Sequence, residues 1–280
     1  MVHIEVKKVL NNNVLIAKHE NYEEVVLIGK GIGFTAKKGD LIENEIVEKM
    51  FVLKGEKEQE QYKLLLPYLE EDMLDTIISA IELIRNRTNS FLNEHIHVAL
   101  TDHILFAMNR LMKGMAIRNP FLMETKALYP FEYEVAKDVV TLLNEETNVE
   151  LPEGEIGFIA LHIHSAMMNK DLSQVNRHSQ LIGTLTSMIE GTLQVGIDKE
   201  SVPYMRLVRH LRYTIERVLR QERVQEPEKI ALLLKEEYPV CYNLSWKLIK
   251  IMQQTLKKPV DDAEAVYLTM HLQRIQNKVK

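Results

Sequence analysis

Between residues 1 and 53, apolar and β-branched side chains come in runs of four to six separated by turn chemistry, a pattern that predicts short strands. NVLIAK (13–18) and EEVVLIG (23–29) flank the polar HENYE and predict a hairpin; FVL (51–53) is a candidate closing strand, and EIVEKM before it predicts one or two helical turns. So few strands cannot close a barrel, which points to a small sheet that gains stability by dimerising. The texture then changes. KGEKEQEQ (54–61) lacks apolar residues and marks a linker. Beyond it LLLPYLEEDMLDTIISAIELIRNR, ALTDHILFAMNRLMKGM, YEVAKDVVTLLNEE and GEIGFIALHIHSAMMNK all place apolar residues at three- and four-residue steps, and strand-like alternation does not return.

The helical part repeats. Leu100, His103, Phe106 and Arg110 match Leu207, His210, Tyr213 and Arg217 at an offset of 107. Farther on the offset is 109: Tyr129, Pro130, Tyr133, Glu155, Phe158 and His162 match Tyr238, Pro239, Tyr242, Glu264, Tyr267 and His271. Two copies of one helical domain follow the β head, and the expected boundaries are 1–56, 57–171 and 172–280. The fold class is therefore multidomain, a small antiparallel β-sheet head followed by two homologous all-α bundles.

Composition narrows the function classes. The 280 residues are 46% hydrophobic and 27% charged, as in a folded globular protein. One cysteine, Cys241, excludes an internal disulfide, argues for a reducing compartment and reads most simply as packing. The N-terminus lacks the apolar core of a secretion signal and no long apolar run occurs, so a cytoplasmic protein without membrane insertion is expected. The net charge of −5 offers no basic field for a nucleic acid, so any such contact must be local.

Four of the ten histidines recur in the repeat. On helical spacing His103 shares a face with Phe106, Ala107 and Arg110, and His210 with Tyr213, Thr214 and Arg217. His162 shares a stripe with Glu155, Phe158 and Ile159, and His271 with Glu264, Tyr267 and Leu268. Each ring is half in an apolar surface and half beside a charge. A single such histidine is most often structural; recurrence at matched positions shifts the balance toward a switch, since neutral imidazole accepts phosphoryl groups. His3, His19, His95, His97, His164 and His178 have no counterpart and read as structural. The H-x-H pairs at 95/97 and 162/164 do not chelate a metal on a helix, because residues two apart point about 200° apart. Asp102 before His103 raises a metal-dependent phosphohydrolase, but Arg209 takes its place in the second copy.

In the head, KKVLNNNV and GKGIGF carry the chemistry. Asn11, Asn12 and Asn13 suit a turn that tolerates left-handed backbone and offers amides to base edges. Lys30, Gly31 and Phe34 put a cation and an aromatic ring on a glycine frame, able to grip a phosphate and stack on a base. GKGIG does not have the spacing of a nucleotide phosphate loop.

With these blocks in this order, the whole chain closely resembles the BglG/SacY family of transcriptional antiterminators. Its head is most similar to members acting on glucose operons of Gram-positive bacteria. KKVLNNNV and GKGIGF resemble the family's co-antiterminator RNA-binding domain, and the helical copies its two phosphotransferase-system regulation domains. The resemblance implies a homodimer that binds a leader mRNA hairpin, the ribonucleic antiterminator, and prevents terminator formation upstream of sugar-transport genes. It assigns RNA contact to Lys8, Asn13, Lys30, Gly31 and Phe34, with Asn11 and Asn12 shaping the turn, and phosphorylation to His103, His162, His210 and His271. The implied phosphoryl donors are a sugar-specific enzyme II, inhibiting through the first domain, and HPr, stimulating through the second. No cofactor, metal or catalytic residue is implied, and the protein is not expected to be an enzyme. Lys30, where some members have Arg, keeps the charge and loses the bidentate fork. A phosphotransferase-regulated DNA-binding activator is the alternative, disfavoured because no helix-turn-helix pattern precedes the repeats.

Overall fold

The computed structural model describes residues 3–10, 12–22, 24–52, 65, 71–93, 95–222 and 228–278. The expected linker at 54–61, the boundary at 56/57 and Asn11 lie outside them.

Among the described residues four antiparallel strands form the head: β1 (Ile4–Val9), β2 (Val14–His19), β3 (Val25–Ile28) and β4 (Lys49–Val52), in the order β1-β2-β3-β4. The expected hairpin is β2–β3, with Val14 opposite Ile28 and Ala17 opposite Val25. A bulge between Val6 and Lys8 shifts the β1–β2 register. EIVEKM departs from expectation: only Asn44–Ile46 make a 3-10 turn, and Lys49 and Met50 already pair with Ile28 and Leu27. Pairing with an existing strand edge outweighs the weak helical preference of so short a segment.

Ile4, Val6, Leu15, Ala17, Val25, Leu27, Ile32 and Ile42 form the head's core. Val14, Ile16, Val26 and Ile28 on the opposite face are buried too, which explains why β2 and β3 read as continuous apolar runs rather than alternating ones. Residues 39–42 cover the outer edge of β1 through Gly39 N–H to Val6 O (2.8 Å), Val6 N–H to Asp40 O (2.9 Å) and Ile42 N–H to Ile4 O (2.9 Å). Its edge groups are thereby paired.

The helices are α1 (Glu71–Thr88), α2 (His95–Met112), α3 (Leu122–Leu128), α4 (Pro130–Glu146) and α5 (Glu153–Met168), then α6 (Leu172–Leu193), α7 (Val202–Arg220), α8 (Glu228–Glu237), α9 (Pro239–Leu256) and α10 (Ala263–Lys278). The repeat holds element by element, α1–α5 against α6–α10. Tyr129–Pro130 and Tyr238–Pro239 each end one helix and start the next, proline occupying the first-turn position where its missing N–H costs nothing. Asp171 opens α6 by accepting the Ser173 N–H at 2.7 Å, and Ser201 opens α7 by accepting that of Tyr204 at 3.4 Å.

Two compact units result: residues 1–117, 135–155 and 166–169, and residues 118–134, 156–165 and 170–280. In the second, Leu181, Leu185, Leu207, Leu211, Leu244, Leu248, Leu268 and Leu272 form a core that also takes in Leu128, Tyr129 and Leu161. Segment 118–134 docks there by side chain: the Phe121 ring fills the space a Cβ on Gly183 would need, at 2.8 Å, and Lys199 reaches the buried Glu124 at 2.6 Å. Cys241 is buried, its thiol donating to Gln276 Oε1 at 3.4 Å, and burial pushes that thiol's pKa up.

Candidate functional site

The head brings together the two stretches that carried its chemistry. Gly33 N–H donates to Asn12 O (2.8 Å) and Gly29 N–H to Asn13 O (3.0 Å), while Gly31 N–H donates to the Asn13 side-chain oxygen at 2.6 Å. Asn13 is buried, so its amide oxygen shapes the 29–34 loop from beneath. Neither Asn12 nor Asn13 adopts positive φ; the left-handed residue is Gly31, at φ +71°. Gly29 is required on packing grounds, since a Cβ there would lie 2.1 Å from Ile46 O. Glu48, which nothing in the sequence singled out, accepts the Lys30 N–H at 3.2 Å. The stapled loop exposes Lys30 and the Phe34 ring, the latter 76% accessible; Lys8 is exposed on β1. A loop this tightly hydrogen-bonded presents a cation and a stacking surface with little ordering left to do on binding.

In the helical copies, one constellation is built twice. His103 on α2 faces Glu155 at the start of α5, Nε2 to Oε2 3.0 Å, and the Arg110 guanidinium, two turns farther along the same face of α2, donates to Oε1 of the same carboxylate. Arg110 Nε also donates to Met115 O at 3.1 Å, and its guanidinium lies over the Phe106 ring at 5.4 Å. In the second copy His210 Nε2 is 3.3 Å from Glu264 Oε2, and Arg217 donates to Oε1 through Nε (2.8 Å) and Nη2 (2.6 Å). Thr214, where the first copy has Ala107, donates its hydroxyl to Glu264 Oε2 at 2.7 Å.

Both carboxylates are essentially inaccessible. Burial pushes the Glu155 carboxyl up, but the hydrogen bond from His103 and the charges of His103 and Arg110 outweigh it and hold the pKa below the usual range. Glu264 is likewise lowered against burial, by bonds from His210, Thr214 and Arg217. The helical stripe paired Glu155 with His162 and Glu264 with His271 along one helix; the fold instead hands each glutamate to the first histidine of its copy. Long-range folding, invisible to periodicity, makes that pairing.

His271 stacks on His210 with ring centroids 4.9 Å apart, and burial together with the charges of His210, Arg274 and Arg206 lowers its pKa to about 4. His162 is buried on α5. One cluster was missed altogether: His164 Nδ1 meets Glu132 Oε1 at 2.7 Å and its ring lies 4.0 Å from that of Tyr129. It borders a pocket also lined by Lys170, His178, Arg212 and Glu216. The repeat hides it, since Cys241 and Gln273 stand at the matching positions. Among the described residues, no group of three or more His, Cys, Asp or Glu is placed to hold a metal ion, and no helix is long and apolar enough to cross a membrane.

A β head that exposes a cation and an aromatic ring on a glycine-rich loop, joined to a duplicated helical unit with a matched His–Glu–Arg constellation in each copy, defines the class as a regulator with a nucleic-acid-binding head and paired control domains. Residues 4–60 match the CAT RNA binding domain, and residues 78–166 and 184–275 each match the PRD domain. The chain is 61% identical to the PtsGHI operon antiterminator of Bacillus subtilis (strain 168), covering 98% of both chains. It is 42% identical to the GlcA/glcB genes antiterminator of Staphylococcus carnosus (strain TM300), over 97% of this chain and 96% of that one. A crystal structure of GlcT CAT-PRDI superposes with a TM-score of 0.53 at 60% identity, covering 60% of this chain and 99% of that one. The chain belongs to the BglG/SacY family of transcriptional antiterminators, which join a CAT RNA-binding domain to two PRD domains.

Proposed function

We propose that the protein binds a hairpin in a leader mRNA and prevents an overlapping terminator from forming upstream of sugar-transport genes, those of glucose uptake in particular. The observation that carries the control half of this reading is the His–Glu–Arg constellation recurring at His103/Glu155/Arg110 and His210/Glu264/Arg217. Phosphorylation at His103, His162, His210 or His271 adds nearly two negative charges to a packed helical surface and biases a two-state arrangement of the copies. A sugar-specific enzyme II acts on the first copy and HPr on the second. The domains are 1–56, 57–171 and 172–280, the working form is a cytoplasmic homodimer, and the protein has no catalytic turnover of its own. RNA contact falls to Lys8, Asn13, Lys30, Gly31 and Phe34, with Asn11 and Asn12 shaping the turn.

Gel shifts with the full chain on the leader hairpin and on matched duplex DNA test the first half; preference for the DNA refutes it. A reporter behind the leader tests the second. His103→Asp, which imitates the added charge, is expected to silence it while His103→Ala leaves it on. Equal activity of the two removes His103 as the inhibitory site.

A further inference from the structure

Resting on the reading that His103 and His210 accept phosphoryl groups, we propose that Glu155 and Glu264 are positioning residues that direct the phosphoryl group to Nδ1 of those rings by holding the ring proton on Nε2. In both copies the same ring nitrogen, Nε2, faces the glutamate, at 3.0 Å and 3.3 Å. An ionised carboxylate only accepts hydrogen bonds, so the nitrogen facing it carries the proton, and in a neutral imidazole the lone pair then sits on Nδ1. Glu155 and Glu264 stay ionised at neutral pH because bonds from His103 to the one and from His210 and Thr214 to the other, joined by Arg110 and Arg217, hold their pKa values down against burial. Thr214 points the same way. Its proton goes to Glu264 Oε2 at 2.7 Å, so toward His210 Nε2, 3.5 Å away, its oxygen is left as an acceptor and the ring nitrogen as the donor.

Transfer then balances simply. The Nδ1 lone pair attacks phosphorus in a donor that carries a P–N bond. The Nδ1–P bond forms as the donor's bond breaks, its electron pair leaving with the donor nitrogen, and the Nε2 proton stays where it was. The product ring is cationic and faces a carboxylate, which stabilises the charge as it develops, much as a buried aspartate does for a catalytic histidine. Transfer to Nε2 instead sets a phosphoryl dianion against the buried carboxylate that stands 3.0 Å from that nitrogen in the first copy and 3.3 Å in the second. A hydrogen bond to a charged partner favours one tautomer by roughly tenfold or more.

The test uses full-length protein labelled with nitrogen-15 histidine, before and after treatment with phosphoramidate, a small donor that needs no protein partner. Two-bond proton–nitrogen correlation spectra are expected to show Nε2–H tautomers at His103 and His210 beforehand and Nδ1-phosphohistidine afterwards. Glu264→Gln, whose amide both donates and accepts, is expected to mix the tautomers at His210 and to cut the isomer preference by roughly tenfold. Nδ1–H tautomers, Nε2-phosphohistidine at these sites, or an unchanged preference in Glu264→Gln overturns the proposal. If neither His103 nor His210 takes phosphoryl, the functional reading fails while the tautomer spectra still decide the positioning claim. Should Glu155→Gln unfold, the wild-type spectra and Glu264→Gln still decide.

Discussion

Arg110→Met should cost more stability than Arg217→Met, although the two arginines occupy matched positions of a repeat. The Arg110 side chain is 7% exposed and its partner Glu155 is sealed from solvent, so deleting the cation leaves a buried carboxylate held only by His103. Breaking a buried pair in this way costs about 3 to 5 kcal/mol, and the remaining histidine places the loss near the lower figure. Arg217 is 29% exposed, and Glu264 keeps Thr214 and His210. Water reaches that arginine, and the expected loss is about 1 to 2 kcal/mol. Scanning calorimetry of the full chain should show the transition of the unit containing Arg110 falling by on the order of 10 °C, against a few degrees for Arg217→Met.

Two further readings guard the argument. Arg110→Met combined with Glu155→Leu should recover most of the loss, because the uncompensated charge goes with the carboxylate. The single variant's deficit should also shrink as pH falls from neutrality toward 5. In the wild type the lowered Glu155 pKa makes its contribution full above about 4.5 and lost as pH falls through the depressed folded value. Without Arg110 only the His103 bond and charge oppose burial, so that pKa rises relative to the wild type and protonation in acid relieves the strain on the variant. Equal losses for the two arginine variants, or a deficit that grows in acid, would refute the reasoning.

Gly29→Ala should unfold or displace the head's loop, since the added methyl would lie 2.1 Å from Ile46 O, while Gly31→Ala should cost only about 1 kcal/mol because its φ of +71° is strained but open; circular dichroism and hairpin gel shifts distinguish the two. Phe34→Ala should weaken hairpin binding by about 1 to 3 kcal/mol with no change in melting, the ring being 76% exposed, and wild-type affinity in the variant refutes a stacking role. His97, whose pKa burial and the Arg85 charge lower from 6.5 to about 4, contributes stability that is full above 6.5 and falls as pH drops toward 4, by about 3 kcal/mol in all. His97→Leu should flatten the melting temperature in that window, and an unchanged slope removes His97 as its source.

Helical periodicity made α1, α2, α4 and α5 readable and the repeat pointed to α7, α9 and α10, because an apolar stripe at 3.6-residue spacing survives divergence of everything else, while the short α3 and α8 carried no such signal. The β2–β3 hairpin was readable for the analogous reason, HENYE separating two apolar runs. What the pattern could not carry was long-range pairing. Glu155 is 52 residues from His103 and Glu264 54 from His210, and only the fold brings them within hydrogen-bond reach. Glu132 and His164 were harder still, since a site present in one copy alone leaves no internal echo. Asn13 shows a third limit: its residue type offered an amide to a base, and only the fold reveals that the side-chain oxygen also accepts the Gly31 N–H.

The two copies have diverged at one atom that matters. Thr214 stands where the first copy has Ala107, and its hydroxyl takes up the Glu264 oxygen that otherwise serves the histidine alone; correspondingly His210 stands 3.3 Å from its glutamate and His103 3.0 Å. A carboxylate oxygen shared by two donors binds each less tightly than one devoted to a single ring. Thr214→Ala should therefore make the second site resemble the first, at a cost of about 1 to 2 kcal/mol for a hydroxyl bond to a charged group. The His210 Nε2 proton, left as the main neutral-side donor to Oε2, should exchange with solvent more slowly than in the wild type. The reverse change, Ala107→Thr, should speed exchange at His103. Faster exchange at His210 in Thr214→Ala would mean that the threonine supports the ring rather than competes with it, and that the two constellations differ in kind.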